Sequence, residues 1–151
     1  MVFAQFCLLA LIIVLPAGRV WTVPPGLARV SQVGTWLGIA VMAVAAAELG
    51  RGLTATPLPN NYARLRTGGL YRFVRHPIYT GLLLVALAST VTSGNAWTAA
   101  ACAALLVLIN AKARWEEGQL VQRFPDYRVY CQRTPRFVPR PIRNSRVRPP
   151  K

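Results

Sequence analysis

Residues 76–111 read HPIYTGLLLVALASTVTSGNAWTAAACAALLVLINA and contain no Asp, Glu, Lys or Arg. This stretch is too long for one membrane span, because about 20 apolar residues cross a hydrocarbon core of about 30 Å. Ser, Gly and Asn at 93–95 are typical of a turn. The stretch therefore predicts a helical hairpin with membrane spans over about 77–92 and 96–113.

Two further apolar segments precede this hairpin. The first, residues 1–17, has no basic residue before its apolar core. A signal peptide has a positively charged start, so we favour a retained span over a signal peptide. The second, about 30–48, is rich in small residues, which let membrane helices approach closely. We expect an all-α polytopic membrane protein of about four transmembrane helices, in one domain over 1–139.

The composition agrees with a membrane protein. Apolar residues make up 54% of the chain and charged residues 15%, against about 45–50% and about 25% in soluble domains. The net charge is +14, and basic residues beside spans are typical of cytoplasmic segments. Nucleic acid is not an expected partner, because the aromatic residues lie mostly in or beside apolar segments rather than alternating with Arg.

Most charges lie in the loop 50–76 and in the segment after residue 113. We therefore place both in the cytoplasm and the hairpin turn outside, with both chain termini inside and the protein in the cell (inner) membrane. The two arginines of the first connector then fall outside. Residues 114–139 are expected to form a cytoplasmic interfacial segment with a helix. Residues 140–151 are expected to be a disordered basic tail that contacts anionic lipid headgroups.

The first cluster able to do chemistry is Arg-His-Pro-Ile-Tyr-Thr-Gly at 75–81. Pro77 suits a first helical position, and the free N–H groups of a helix start favour an anionic group. His76 and Tyr79 are three residues apart and share a helix face. Gly81 leaves room for a ligand or for a neighbouring helix. The alternative is a belt of interfacial residues that anchors the helix at the headgroups.

The second cluster is Glu116 and Glu117, just beyond the fourth span, in a chain with only four acidic residues. They either form helical ion pairs, Lys112 with Glu116 and Arg114 with Glu117, or bind a cationic ligand. Exposed pairs of that kind are worth only about 0.3–0.5 kcal/mol. Folding of the hairpin brings both clusters to the same membrane face.

Residues 65–81, LRTGGLYRFVRHPIYTG, resemble the Arg-His-Pro-x-Tyr-x-Gly region of the isoprenylcysteine carboxyl methyltransferase family, which is related to the phospholipid N-methyltransferases. A second set of residues downstream fits the same family: Glu116, Glu117, Leu120, Phe124, Tyr127, Tyr130, Arg133 and Arg-Phe-Val-Pro at 136–139. The resemblance covers about 65–139, half of the chain.

The resemblance implies an integral membrane methyltransferase that uses S-adenosylmethionine on the cytosolic side and takes a hydrophobic acceptor from the lipid. The cofactor-binding residues that it implies are His76, Pro77, Tyr79, Gly81, Glu116, Glu117 and Tyr127. The catalytic residues that it implies are Arg75 and Arg133, either of which could orient an acceptor carboxylate. No metal site is expected. The acceptor stays open between a prenylcysteine-like group, a lipid, and a small hydrophobic acid or amine.

Two other functions compete with this one. Membrane sterol reductases share an Arg-x-Pro-x-Tyr-x-Gly signature and bind NADPH, but there the residue after Pro is commonly Asn and an acid often follows the Gly. Here those positions are Ile78 and Leu82. The other alternative is a non-catalytic membrane protein whose basic tail binds anionic lipid.

Overall fold

The computed structural model describes residues 1–50 and 65–139, and within them every regular element is helical. The elements are α1 (Val2–Val14), α2 (Pro25–Leu49), a 3₁₀ turn (Gly69–Arg72), α3 (Pro77–Ser93), α4 (Ala96–Arg123) and α5 (Tyr127–Arg133). The prediction of an all-α architecture is therefore confirmed for these residues. The predicted basic tail, residues 140–151, and residues 51–64 of the loop 50–76 lie outside the described residues.

The helical hairpin forms where the sequence predicts it. Helix α3 begins at Pro77, whose missing N–H costs nothing at a first helical position. Helix α4 begins after Asn95, whose side-chain oxygen accepts a hydrogen bond of 2.8 Å from the Trp97 backbone N–H. This is an ordinary N-cap for a helix that follows a tight turn.

Helices α2 and α4 are long and apolar enough to cross a membrane, whereas α1 and α3 are shorter apolar helices. The arrangement of four spans therefore stays a prediction. Large apolar side chains are exposed on the outside of the bundle, as a lipid-facing surface requires. Examples are Phe3 at 82%, Trp36 at 65% and Val107 at 71% exposure.

Two helix limits differ from the predicted ones. Helix α2 begins at Pro25 rather than near residue 30, because a proline at the first helical position starts a helix instead of breaking it. Helix α4 continues through Arg123, so the first third of the segment 114–139 extends the hairpin helix. It ends just before Phe124 and Pro125, where the residue preceding a proline is disfavoured in α conformation.

The packing of the bundle fixes where the two clusters lie. Helix α2 packs along α3, and α1 packs against α4. The buried core consists of Ile12, Leu83, Ala86, Ala101, Cys102, Leu105 and Ile109. At the hairpin turn, the connector after α1 donates from Gly18 N to Ser93 O (2.7 Å) and from Val20 N to Gly94 O (2.9 Å). The start of α3 and the charged part of α4 therefore meet at the opposite end.

Candidate active site

The carboxylate of Glu117 lies at the centre of the polar cluster at that end. Arg136 donates to both of its oxygens, from Nε to Oε1 at 2.9 Å and from Nη2 to Oε2 at 2.7 Å. His76 Nε2 lies 3.1 Å from Oε1, and Arg75 Nη1 lies 3.4 Å from Oε2. The Glu117 side chain is only 12% exposed. One largely buried carboxylate therefore faces two guanidinium groups and an imidazole.

Glu116 lies on the other side of the same imidazole. Tyr79 donates its hydroxyl to Glu116 Oε1 at 2.6 Å, and His76 Nδ1 lies 3.7 Å from Glu116 Oε2. The Tyr79 and His76 rings are stacked, with centroids 5.4 Å apart. His76 precedes α3 as its N-cap residue, and its ring lies between the two carboxylates.

The C-terminal segment, residues 134–139, is hydrogen-bonded to the residues around the start of α3. Pro135 O accepts from Arg75 N (2.9 Å), and Arg136 O accepts from His76 N (3.1 Å). Thr80, in the first turn of α3, donates its hydroxyl to Phe137 O at 2.8 Å. These bonds satisfy backbone groups at a helix start and carry the Arg136 side chain onto Glu117.

Two tyrosines of α5 close the site on another side. Tyr127 is 2% exposed and Tyr130 is 9% exposed. Tyr130 donates its hydroxyl to the Tyr71 carbonyl, and Tyr71 donates its own hydroxyl to Ala45 O at 3.4 Å. A chain of tyrosines therefore ties α5 to the 3₁₀ turn and to the end of α2.

The pKa values of Glu116 and Glu117 shift in opposite directions. Both residues follow the apolar part of α4. Burial would raise the pKa of the Glu117 carboxyl, but hydrogen bonds from His76 and Arg136 and the charge of Arg75 lower that pKa to about 2. Burial raises the pKa of the neighbouring Glu116 carboxyl, against the hydrogen bond from Tyr79. Glu117 is thus a fixed negative charge, whereas Glu116 takes up a proton more readily.

The 3₁₀ turn depends on one glycine. Gly69 has φ +58°, and a Cβ there would clash with the carboxylate of Glu48. Glu48 accepts the Leu70 N–H with both oxygens, at 3.2 and 3.0 Å.

We expect Gly69→Ala to lower the melting temperature in detergent, since the left-handed backbone alone costs about 1–2 kcal/mol. The control is Gly68→Ala, where a Cβ meets nothing within 4 Å. Equal melting temperatures for the two variants would contradict this account of the turn.

The structure brings most of the predicted site residues together. Arg75, His76, Tyr79, Glu116 and Glu117 share the contacts described above. Glu117 pairs with Arg75, His76 and Arg136, which lie far from it in the chain. The alternative interpretation had paired it with Arg114, its neighbour on the same helix.

The other predicted residues lie around or beside this cluster. Pro77 is buried and starts α3, and Tyr127 is buried on α5. Gly81 lies at the crossing with α2, where the Gly38 carbonyl fills the space beside it. Arg133 ends α5 with an exposed side chain.

Two residues that hydrogen-bond in the cluster, Arg136 and Asn110, were not predicted from the sequence. Arg136 holds Glu117, and Asn110 accepts from Arg136 Nη1 at 2.9 Å. The signal for Asn110 was its position as the last polar residue of the charge-free stretch 76–111. Arg136 belongs to the pattern that resembles the family, but the resemblance assigned it no role in the site.

The chain matches a known protein family over the part that contains the two glutamates. The family model described as isoprenylcysteine carboxyl methyltransferase (ICMT) family matches residues 32–122, which include the hairpin and both glutamates. The chain belongs to the isoprenylcysteine carboxyl methyltransferase family. This membership does not favour the alternative of a sterol-type reductase.

Two relatives of the chain come from bacteria. One is the cobalt-zinc-cadmium resistance protein CzcN of Cupriavidus metallidurans, 34% identical over 116 residues, covering 71% of this chain and 53% of that protein. Another is methanethiol S-methyltransferase 1 of Bradyrhizobium diazoefficiens, 35% identical over 89 residues, covering 58% of this chain and 29% of that protein. The chain thus matches about half or less of the length of these relatives.

Proposed function

We propose that the protein is a membrane methyltransferase that binds S-adenosylmethionine at the Glu116–Glu117 cluster and methylates a hydrophobic or lipid-like acceptor. The family name suggests carboxyl O-methylation of a prenylcysteine-like group. The observation that carries the proposal is the pair of largely buried carboxylates held by His76, Tyr79 and Arg75 at the start of α3. Family membership and the methyltransferase relative support it.

The residues of the cluster fit the polar groups of this cofactor. S-adenosylmethionine carries an ammonium, a carboxylate, a ribose diol and a sulfonium. Arg75 Nε is a buried donor without a hydrogen-bond partner among the residues that the structure describes. Buried donors are nearly always paired, so a ligand carboxylate is a suitable acceptor for it. The glutamates can accept from an ammonium or a diol, and the face of Tyr127 suits a sulfonium.

The cofactor would supply a methyl group on a positively charged sulfur, so alignment and exclusion of water are the main demands on the protein. The segment 134–139 and the buried Tyr127 cover the cluster and exclude water. His76, between two carboxylates, can hold a proton at either ring nitrogen. An acceptor carboxylate needs no general base, whereas an amine or hydroxyl would use His76 or a glutamate. We assign Arg75 to a ligand carboxylate and the exposed Arg133 to orienting the acceptor.

We propose that this end of the bundle faces the cytoplasm of the inner membrane, with four spans and both termini inside. The arginines around α5 and the basic residues 140–151 would then contact anionic headgroups.

The test is calorimetric binding of S-adenosylhomocysteine to the full chain in lipid nanodiscs, with NADPH in parallel. We expect micromolar binding of the first ligand and none of the second. Arg75→Lys keeps the charge but loses the planar fork, so binding should weaken about tenfold. The matched control is Arg128→Lys, at an exposed position on α5, which should bind as wild type does.

Absence of S-adenosylhomocysteine binding in a folded sample would overturn the proposed function. Binding of NADPH alone would select a reductase. Equal affinities for the two arginine variants would remove Arg75 from the site.

A further inference from the structure

A buried lysine lies beside the candidate active site and takes no part in the function proposed above. Lys112 is on α4, one turn before Glu116, and is 4% exposed. Its Nζ donates to Gln5 Oε1 of α1 at 2.9 Å and lies 5.2 Å from the centre of the Tyr79 ring. The side chain therefore connects α1 with the cluster at the start of α3.

The ammonium of Lys112 has unused hydrogen-bonding capacity. An ammonium carries three N–H donors, and Gln5 accepts one of them. Glu116 and Glu117 form their ion pairs with Arg75, His76 and Arg136 instead, and Lys112 acts on Glu116 through its charge rather than through a direct ion pair. A fully buried Lys is rare without an anionic partner, and an ionisable side chain inside a membrane bundle commonly marks a ligand path.

Lys112 has access to both the cluster and the outside of the bundle. The Tyr79 ring lies beside the Lys112 ammonium, and the Tyr79 hydroxyl donates to Glu116. The Tyr79 side chain therefore lies between Lys112 and the pair of carboxylates. On the other side, Gln5 is only partly buried, and its neighbours on α1, Phe3 and Phe6, are 82% and 60% exposed. The Gln5 amide therefore lies at the boundary between Lys112 and the lipid-facing surface.

The local charge favours an anion. Arg75, Arg136 and Lys112 carry three positive charges against two carboxylates, and the sulfonium of the proposed cofactor would add another. A cationic acceptor would be repelled there, whereas an anionic group would gain charge-assisted hydrogen bonds.

We propose that Lys112 binds the anionic group of the methyl acceptor, which replaces the Gln5 amide oxygen on the ammonium while its apolar tail lies against α1. This rests on the proposed function and narrows its acceptor to an amphiphile with a carboxylate or a thiolate. Gln5 and Lys112 are then residues that determine acceptor specificity.

The experiment measures binding of dodecanoate and dodecylamine to the full chain in nanodiscs saturated with S-adenosylhomocysteine, with empty nanodiscs subtracted. We expect Lys112→Met to weaken dodecanoate binding at least tenfold and not to weaken dodecylamine binding, because the charge that is lost repels an ammonium. Lys112→Arg, which keeps the charge, should stay within threefold of wild type. Transfer of a labelled methyl group to dodecanoate or to dodecane-1-thiol then distinguishes a carboxylate from a thiolate acceptor.

A second variant keeps the test decisive if Lys112→Met does not fold. Gln5→Leu removes the amide that competes for the ammonium, so it should tighten dodecanoate binding several-fold. Unchanged dodecanoate affinity in Lys112→Met, or unchanged or weaker affinity in Gln5→Leu, would overturn the proposal. Binding of S-adenosylhomocysteine to wild type is measured first and separately, so its failure concerns the proposed function and not Lys112.

Discussion

Replacing Glu117 by Gln is expected to weaken S-adenosylhomocysteine binding at least 100-fold and to lower the melting temperature. The carboxylate faces Arg75, His76 and Arg136 at 12% exposure of its side chain. An amide removes the negative charge and can accept with only one oxygen. Removing one partner of a buried ion pair costs about 3–5 kcal/mol, because the cations that remain are left without a counter-charge. The C-terminal segment would also lose the contact that holds Arg136 on the cluster.

The matched control for this change is Asp126→Asn, which makes the same chemical replacement at an exposed carboxylate. Asp126 precedes α5 and its side chain makes no capping hydrogen bond. We expect this variant to bind and melt as wild type does. Calorimetry and intrinsic tryptophan fluorescence in nanodiscs measure both properties. Wild-type affinity in Glu117→Gln would exclude this carboxylate from the ligand site, whatever its effect on stability.

The parts of the fold that the sequence predicted are those that depend on local patterns. The charge-free residues 76–111 with a turn in the middle specify a hairpin, because a turn between two apolar helices reverses the chain. A proline before an apolar run specifies a helix start at residue 77. Since the two ends of a hairpin lie side by side, the meeting of residues 75–81 with the two glutamates of α4 followed from the same pattern.

The parts that the sequence did not predict depend on contacts between distant segments. Arg136 reaches Glu117 because the backbone of residues 135–136 bonds to that of residues 75–76. Such pairing leaves no periodic signal in either segment. Spacing alone could not show that Arg136 reaches Glu117, because Arg136 is one of several arginines in a basic stretch.

Gly81 illustrates the same limit. A glycine in the first turns of a helix leaves room for a ligand or for another helix, and both options were open from the sequence. The structure places Gly38 of α2 against it, so the room is taken up by backbone-to-backbone contact. The same packing also determines how α3 presents His76 and Tyr79 to α4, so helix packing and site geometry are coupled.

Gly38→Ala is therefore expected to disturb both the fold and the site. A Cβ at Gly38 would lie 2.7 Å from the Gly81 carbonyl oxygen and 2.8 Å from Val85 Cγ2, so α2 and α3 must move apart. Overpacking of this kind typically costs about 1–3 kcal/mol, and the shift of α3 should weaken S-adenosylhomocysteine binding about tenfold or more.

The matched control is Gly34→Ala, one turn earlier on α2, where the nearest atoms lie 3.8 and 3.9 Å from the new Cβ. That variant should melt at or slightly above the wild-type temperature, because Ala is favoured over Gly inside a helix. If both variants melt and bind alike, close approach at Gly38 and Gly81 does not hold the start of α3 in place, and the position of His76 must then depend on the C-terminal segment alone.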